Sequence, residues 1–128
     1  MTTEVITLSI TDSLETAERL FKKHKIRHIP VVDHKEILGM LSYSDLLRIS
    51  FADVSEDEKS VDNFVYDMFT IRQVMAKNLF MVPPNSSIKE VAGLLSKEEF
   101  HALPVVEDNE LVGIVTTTDL INYLIEQL

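Results

Sequence analysis

Two short quartets carry the chemistry this sequence offers, Ser42-Tyr43-Ser44-Asp45 and Thr116-Thr117-Thr118-Asp119, each a hydroxyl followed three residues later by a carboxylate. A carboxylate in the first turn of a helix accepts a vicinal diol through both oxygens. The free backbone N–H groups and positive dipole end beside it suit a phosphate. The competing reading is structural, with Asp45 and Asp119 as helix caps and Ser42 and Thr116 as strand ends. Upstream of each quartet stand further candidates for a ligand, Arg27 and His28 in one case and His101 in the other. Arg27 and His101 occupy matched positions and can face a polyphosphate, the guanidinium better because it is always charged and grips phosphate oxygens in pairs. Their alternative is an ordinary solvated loop. Lys22, Lys23 and Lys25 extend the basic cluster around Arg27 and can hold a small anion, or simply form the wet face of a helix.

Other chemistries lack their residues. Without cysteine there is no disulfide, thiolate metal site, iron–sulfur cluster or cysteine nucleophile. Three glycines leave little room for a phosphate-cradling loop, and neither G-x-x-x-x-G-K-[ST], G-x-G-x-x-G nor G-x-S-x-G occurs. His24 and His28 are four apart, but the helix carrying His24 is expected to end before His28, and no Glu follows His24 as H-E-x-x-H requires. The acids from Asp53 to Asp67 lack the glycine and spacing of an EF-hand. The expectation is a non-enzymatic protein with no metal site and no required cofactor.

The elements that must position the quartets come from an internal repeat. Arg27 to Leu47 (RHIPVVDHKEILGMLSYSDLL) lies over His101 to Ile121 (HALPVVEDNELVGIVTTTDLI) at a constant offset of 74 residues, without a gap. Extended over 11–50 and 85–124, the register keeps ten identities in forty positions. Each copy reads as strand, helix, strand, strand, helix. In the first, Asp12 or Ser13 is the expected N-cap, Asp12 to Glu15 has capping-box spacing, and Leu14, Ala17, Leu20 and Phe21 make the apolar stripe of a helix over 13–25. Strands are predicted over 28–33 and 36–42, joined by the turn Asp33-His34-Lys35, and a helix capped by Ser44 or Asp45 follows. In the second, Ser87 to Glu90 has capping-box spacing, the stripe is Ile88, Val91, Leu94 and Leu95, and strands over 102–106 and 110–116 precede a final helix.

The fold class is α/β (α+β), two tandem βαββα units packed with pseudo-two-fold symmetry, because one unit of this size buries too little apolar surface by itself. The division is 1–52, an acidic connector 53–69, and 70–128. The segment 70–75 reads as a short helix leading into the second unit. In the connector, Val61, Phe64, Val65, Met68 and Phe69 are spaced as one helical face.

Size and charge set the outer limits. The 128 residues, 45% apolar and 26% charged, fit a globular chain and exclude two large independent domains. Twelve basic against 21 acidic residues leave a net charge of −9, which repels nucleic-acid backbones and anionic lipid. Six acids against one lysine place five of those nine charges within residues 51–70. No stretch approaches the roughly 18 apolar residues of a transmembrane helix. The N-terminal sequence lacks a basic n-region, so the expected location is cytoplasmic.

The repeat resembles the CBS domain, a βαββα unit found in tandem pairs known as Bateman modules. The resemblance rests on the IPVVD and LPVVE strands, the E-x-x-G turns Glu36 to Gly39 and Glu110 to Gly113, and the endings Gly39 to Asp45 and Gly113 to Asp119. TIRQVM looks like the lead-in that often precedes such a unit, and the first copy lacks one. What the resemblance implies is a stand-alone pair that binds AMP, ADP or ATP, and sometimes S-adenosylmethionine, in clefts between the units. The family motif Gly-h-x-Ser/Thr-x-x-Asp is complete twice. Carried over by position, Asp45 and Asp119 become ribose partners, and Ser42 and Thr116 phosphate-side donors. Thr7 in Ile6–Ser9 and Met81 in Phe80–Pro83 stand where the family encloses adenine, and Tyr43 either stacks on a base or packs internally. A homodimer is also implied, for which the faces Leu46, Leu47, Ile49, Phe51 and Leu120, Ile121, Leu124, Ile125 are suited, with a regulated protein as a further partner. The alternative is a structural or interaction module that dimerises and leaves vestigial clefts empty.

Overall fold

In the computed structural model, residues 4–51, 68–97 and 101–128 are described. They form two packing units; the first copy has the β-α-β-β-α order expected from the sequence pattern, and the second has α-β-β-α after a single early bridge. β1 (Leu8–Ser9), α1 (Leu14–His24), β2 (His28–Asp33), β3 (Glu36–Ser42) and α2 (Tyr43–Phe51) belong to the first copy. The short α3 (Ile71–Val74) follows, and α4 (Ile88–Lys97), β4 (Ala102–Glu107), β5 (Glu110–Thr116) and α5 (Thr117–Gln127) belong to the second. The mixed α+β class and the strand limits 28–33, 36–42 and 110–116 are those expected from alternation and turn residues.

α1 forms because Leu14, Ala17 and Phe21 recur on one side and are all buried. Its cap is Ser13, whose Oγ accepts the Thr16 amide at 3.2 Å. The Asp12–Glu15 capping box does not form. Asp12 Oδ2 instead accepts the Ser9 amide at 2.8 Å, which ties the turn after β1 and leaves capping to Ser13. The helix stops at Lys25, which takes a left-handed conformation with φ 53°. β1 runs parallel to β2, pairing Leu8 with Val31 and Ser9 with Val32.

The first core gathers Leu8, Leu14, Ala17, Phe21, Ile29, Val31, Leu41 and Leu46, and it also takes in Ile71 and Met75. α3 therefore packs with the first copy, although 70–78 open the second copy in the linear division. Thr70 and Gln73 close a full capping box on this one-turn helix, at 2.9 and 3.3 Å. Behind it, Met40 and Ala76 exchange both backbone bonds, and Gly39 lies directly against Met75 and Ala76. Full burial of an isoleucine such as Ile71 contributes about 1.5–3 kcal/mol, enough to hold so short a helix in place.

The second core is built from Val82, Val91, Leu95, Leu103, Val105 and Val115. β4 and β5 are antiparallel from Ala102↔Thr116 to Glu107↔Glu110, with a register shift between Val105 and Val106. Their turn uses Asp108 and Asn109, both at positive φ, as a two-residue hairpin turn requires. The hairpin-tip residues Lys35–Ile37 group with this unit, where Glu36 pairs with Glu110. The early strand of the second copy is a single parallel bridge, Val82 to Val105. α5 buries none of its residues.

The connector positions Val61, Phe64 and Val65 lie outside the described residues, and Met68 and Phe69 are exposed. No helix among the described residues is long and apolar enough to cross a membrane.

Candidate functional site

Each quartet sits where a strand turns into a helix, and each closes on itself. In the first copy the Ser42 amide donates to Asp45 Oδ2 at 3.3 Å, and the Asp45 amide donates to Ser42 Oγ at 3.0 Å. In the second the Thr116 amide donates to Asp119 Oδ2 at 2.9 Å, and the Asp119 amide donates to Thr116 Oγ1 at 3.1 Å. These reciprocal boxes satisfy two orphan donors at each helix start and hold the carboxylate there, half-buried. Each Asp commits one oxygen to the box. In the first copy the other oxygen, Asp45 Oδ1, lies 3.5 Å from the Arg48 guanidinium. The matched position in the second copy is Asn122, which carries no charge.

Backbone bonds bring a further pair of candidates to these helix starts. The Tyr43 amide donates to the Arg27 carbonyl at 2.8 Å, and the Thr117 amide donates to the His101 carbonyl at 3.0 Å. Positions 27 and 101 are therefore equivalent in structure as well as in sequence, and both side chains are exposed. His28 is half-buried at the first position of β2. Thr7 and Met81 are exposed and stand one residue before Leu8 and Val82, the residues that open the parallel pairings. The Tyr43 ring packs edge-on against Phe21, with centroids 5.4 Å apart. Lys22, Lys23 and Lys25 are exposed, and Lys22 pairs with Glu18 at 2.7 Å. His24 and His28 fall on α1 and β2, and among the described residues no three His, Asp or Glu side chains gather around a common point.

One hollow adjoins the first box, and another is lined by residues that flank the second in the chain. The former, of about 260 Å³, lies in the first unit and is lined by Asp45, Arg48, Ile49, Phe69, Gln73 and Val74. The other, of about 240 Å³, lies in the second unit under apolar walls that include Val82, Val91, Val105, Val115 and Leu120. By sequence, Val91 falls in a helical stripe, Val105 in a strand and Leu120 on a dimer face rather than in a site, and Arg48 is not named among the candidates. The available signal was side-chain size at matched positions, Leu8 against Val82 and Leu41 against Val115.

The CBS domain family matches residues 1–52 and 71–126, which is most of the chain and both copies of the repeat. The chain belongs to the CBS domain family. The CBS domain-containing protein YhcV of Bacillus subtilis (strain 168) is 32% identical over 120 residues, covering 94% of this chain and 79% of that one. The chain spans less than half the length of several longer curated relatives. Among solved structures, the Vibrio cholerae chain named AcuB superposes with a TM-score of 0.82 at 31% identity, over 99% of this CBS pair and 87% of AcuB. The CBS domain pair of protein MJ0100, solved with 5'-methylthioadenosine and S-adenosyl-L-methionine, superposes with a TM-score of 0.74 at 26% identity, over 95% and 92% of the two chains.

Proposed function

We propose that this CBS pair is a non-enzymatic regulatory module that senses an adenosine-type ligand, an adenine nucleotide such as AMP, ADP or ATP, or S-adenosylmethionine. The observation that carries the reading is the duplicated helix-start box, which holds Asp45 and Asp119 half-buried, with a hollow of about 260 Å³ lined by Asp45 in the first unit and one of about 240 Å³ lined by Val115 and Leu120 in the second. The second oxygen of each carboxylate is the acceptor offered to a ribose diol, and Ser42 and Thr116 mark the phosphate side of the helix dipole. Arg27, His28 and His101 supply the charged or polar rim, and Thr7 and Met81 flank the base. The adenosine ligands of the MJ0100 pair support the ligand class. Binding regulates only if one arrangement of the protein holds the ligand more tightly than another. The target of that regulation is a protein partner, with a homodimer as the working assembly.

The test is isothermal titration of the full chain with AMP, ADP, ATP and S-adenosylmethionine, repeated on the double variant Asp45→Ala/Asp119→Ala. Saturable binding of one of them, lost in the folded variant, supports the sensor. Failure of all four overturns it.

A second reading is favoured by one observation. Ile121, Leu124 and Ile125 are 57%, 58% and 63% exposed on α5, and such a face suits association with a second copy. Under that reading the boxes are helix caps only, and the chain works as a dimerising interaction module with empty clefts. Nucleotide-independent dimerisation with no heat of ligand binding is its signature.

A further inference from the structure

We propose that the two repeats have diverged, so that the second alone accepts the adenosine-type ligand while the first has filled its counterpart with its own side chains. This rests on the sensor reading above and adds the occupancy, one ligand per chain, and the residues that decide it.

Six wall residues of the second-unit hollow make the comparison: Val82, Ile88, Val91, Val105, Val115 and Leu120. Shifted by 74 residues, they fall on Leu8, Leu14, Ala17, Val31, Leu41 and Leu46. In the first unit these six are sealed, five at 0% exposure and Leu46 at 1%. In the second the same positions surround about 240 Å³ of open space, and Ile88 is 47% exposed. The causes are legible in side-chain size. Leu8 and Leu41 each carry a methylene that Val82 and Val115 lack, and Phe21 stands where the second repeat has Leu95. Ala17 is smaller than Val91, but α3 adds Ile71 and Met75 to the first core. Close-packed side chains leave no room for a base, whereas an apolar hollow accepts a flat one.

Charge points the same way. Val115 and Leu120, which line the hollow, flank the Thr116–Asp119 box in the chain, and Asn122 stands where the first repeat has Arg48. The first unit's own hollow shares none of these matched walls, and its carboxylate, Asp45, already faces the Arg48 guanidinium at 3.5 Å, which competes with a ribose hydroxyl for the same oxygen.

The experiment is titration of the full chain with AMP and, separately, with S-adenosylmethionine, reading stoichiometry and affinity in parallel variants. One equivalent per chain is expected. Asp119→Asn, which keeps a capping side chain, weakens binding tenfold or more. Val82→Leu/Val115→Leu installs the residues of the first repeat and abolishes binding with Asp119 intact. Val91→Leu fills the hollow from α4 and gives the same loss if the double variant does not fold. Two equivalents per chain, undiminished binding in Asp119→Asn, or wild-type affinity in the filled variants overturns the inference and leaves the sensor standing. Absence of binding by either probe or by ADP or ATP overturns both.

Discussion

Met40 and Ala76 exchange both backbone hydrogen bonds, at 3.0 and 2.9 Å, and so fasten the segment after α3 to the middle of β3. This contact explains Gly39. A Cβ there would stand 2.8 Å from the Ala76 carbonyl oxygen and would collide with the Met75 side chain.

Gly39→Ala is accordingly expected to destabilise the protein by about 1–3 kcal/mol, the usual cost of overpacking a core. Gly93 meets no neighbour within 4 Å in the middle of α4. Gly93→Ala should stabilise by up to about 1 kcal/mol through helix propensity. Urea unfolding of both variants checks the opposite signs.

Ile71 is fully buried in the first core although it lies in a helix of four residues. Ile71→Ala should cost about 2–5 kcal/mol. Hydrogen exchange should show α1 and β2 losing protection first, since Ile71 packs with them. Equal loss in α4 and β4 would contradict the assignment of α3 to the first core.

Lys25 ends α1 at φ 53°, a left-handed conformation that costs a side-chain-bearing residue about 1–2 kcal/mol relative to glycine. Lys25→Gly is therefore expected to raise the melting temperature. The lysine is exposed, so no packing is lost. A lowered midpoint would show that the Lys25 side chain contributes more than its backbone strain.

Asp45→Ala and Asp119→Ala each remove one acceptor of a reciprocal box and should cost about 1 kcal/mol of stability without ligand. Asp45→Ala also frees the Arg48 guanidinium, an exposed ion pair of little further value. Thermal melts of the two variants should therefore fall by similar amounts, and only ligand titration should separate them.

Much of this architecture was legible in the residues. The alternation in IPVVD and LPVVE, the polar turn between hairpin strands and the 3.6-residue stripes placed every strand and long helix of the described chain within a few residues. These are short-range signals, and the structure obeys them because each concerns neighbours in sequence. The capping of α1 was legible only in part. Asp12 and Ser13 both have the chemistry of a cap, and the choice went to Ser13 because Asp12 is held by the Ser9 amide across the preceding turn. The quartets are legible through their repetition, but the cap expected at Ser44 or Asp45 is instead the hydroxyl of Ser42, as it is of Thr116 in the second copy, with the aspartate three residues on closing the box. The wall of the second-unit hollow was not found, because a valine in a strand reads the same whether it faces a filled or an open interior.

By itself the sequence determined the duplication, the order of the long helices and hairpin strands, and the two hydroxyl–carboxylate quartets, all of which depend on spacing along the chain. Only the tertiary structure decided that α3 joins the core of the first copy, that Gly39 is needed for the approach of Met75 and Ala76, and that matched positions close one interior while opening the other. The reason is physical. Which space a side chain fills depends on partners far away in sequence, and a difference of one methylene at a few matched positions is felt only when those partners have met.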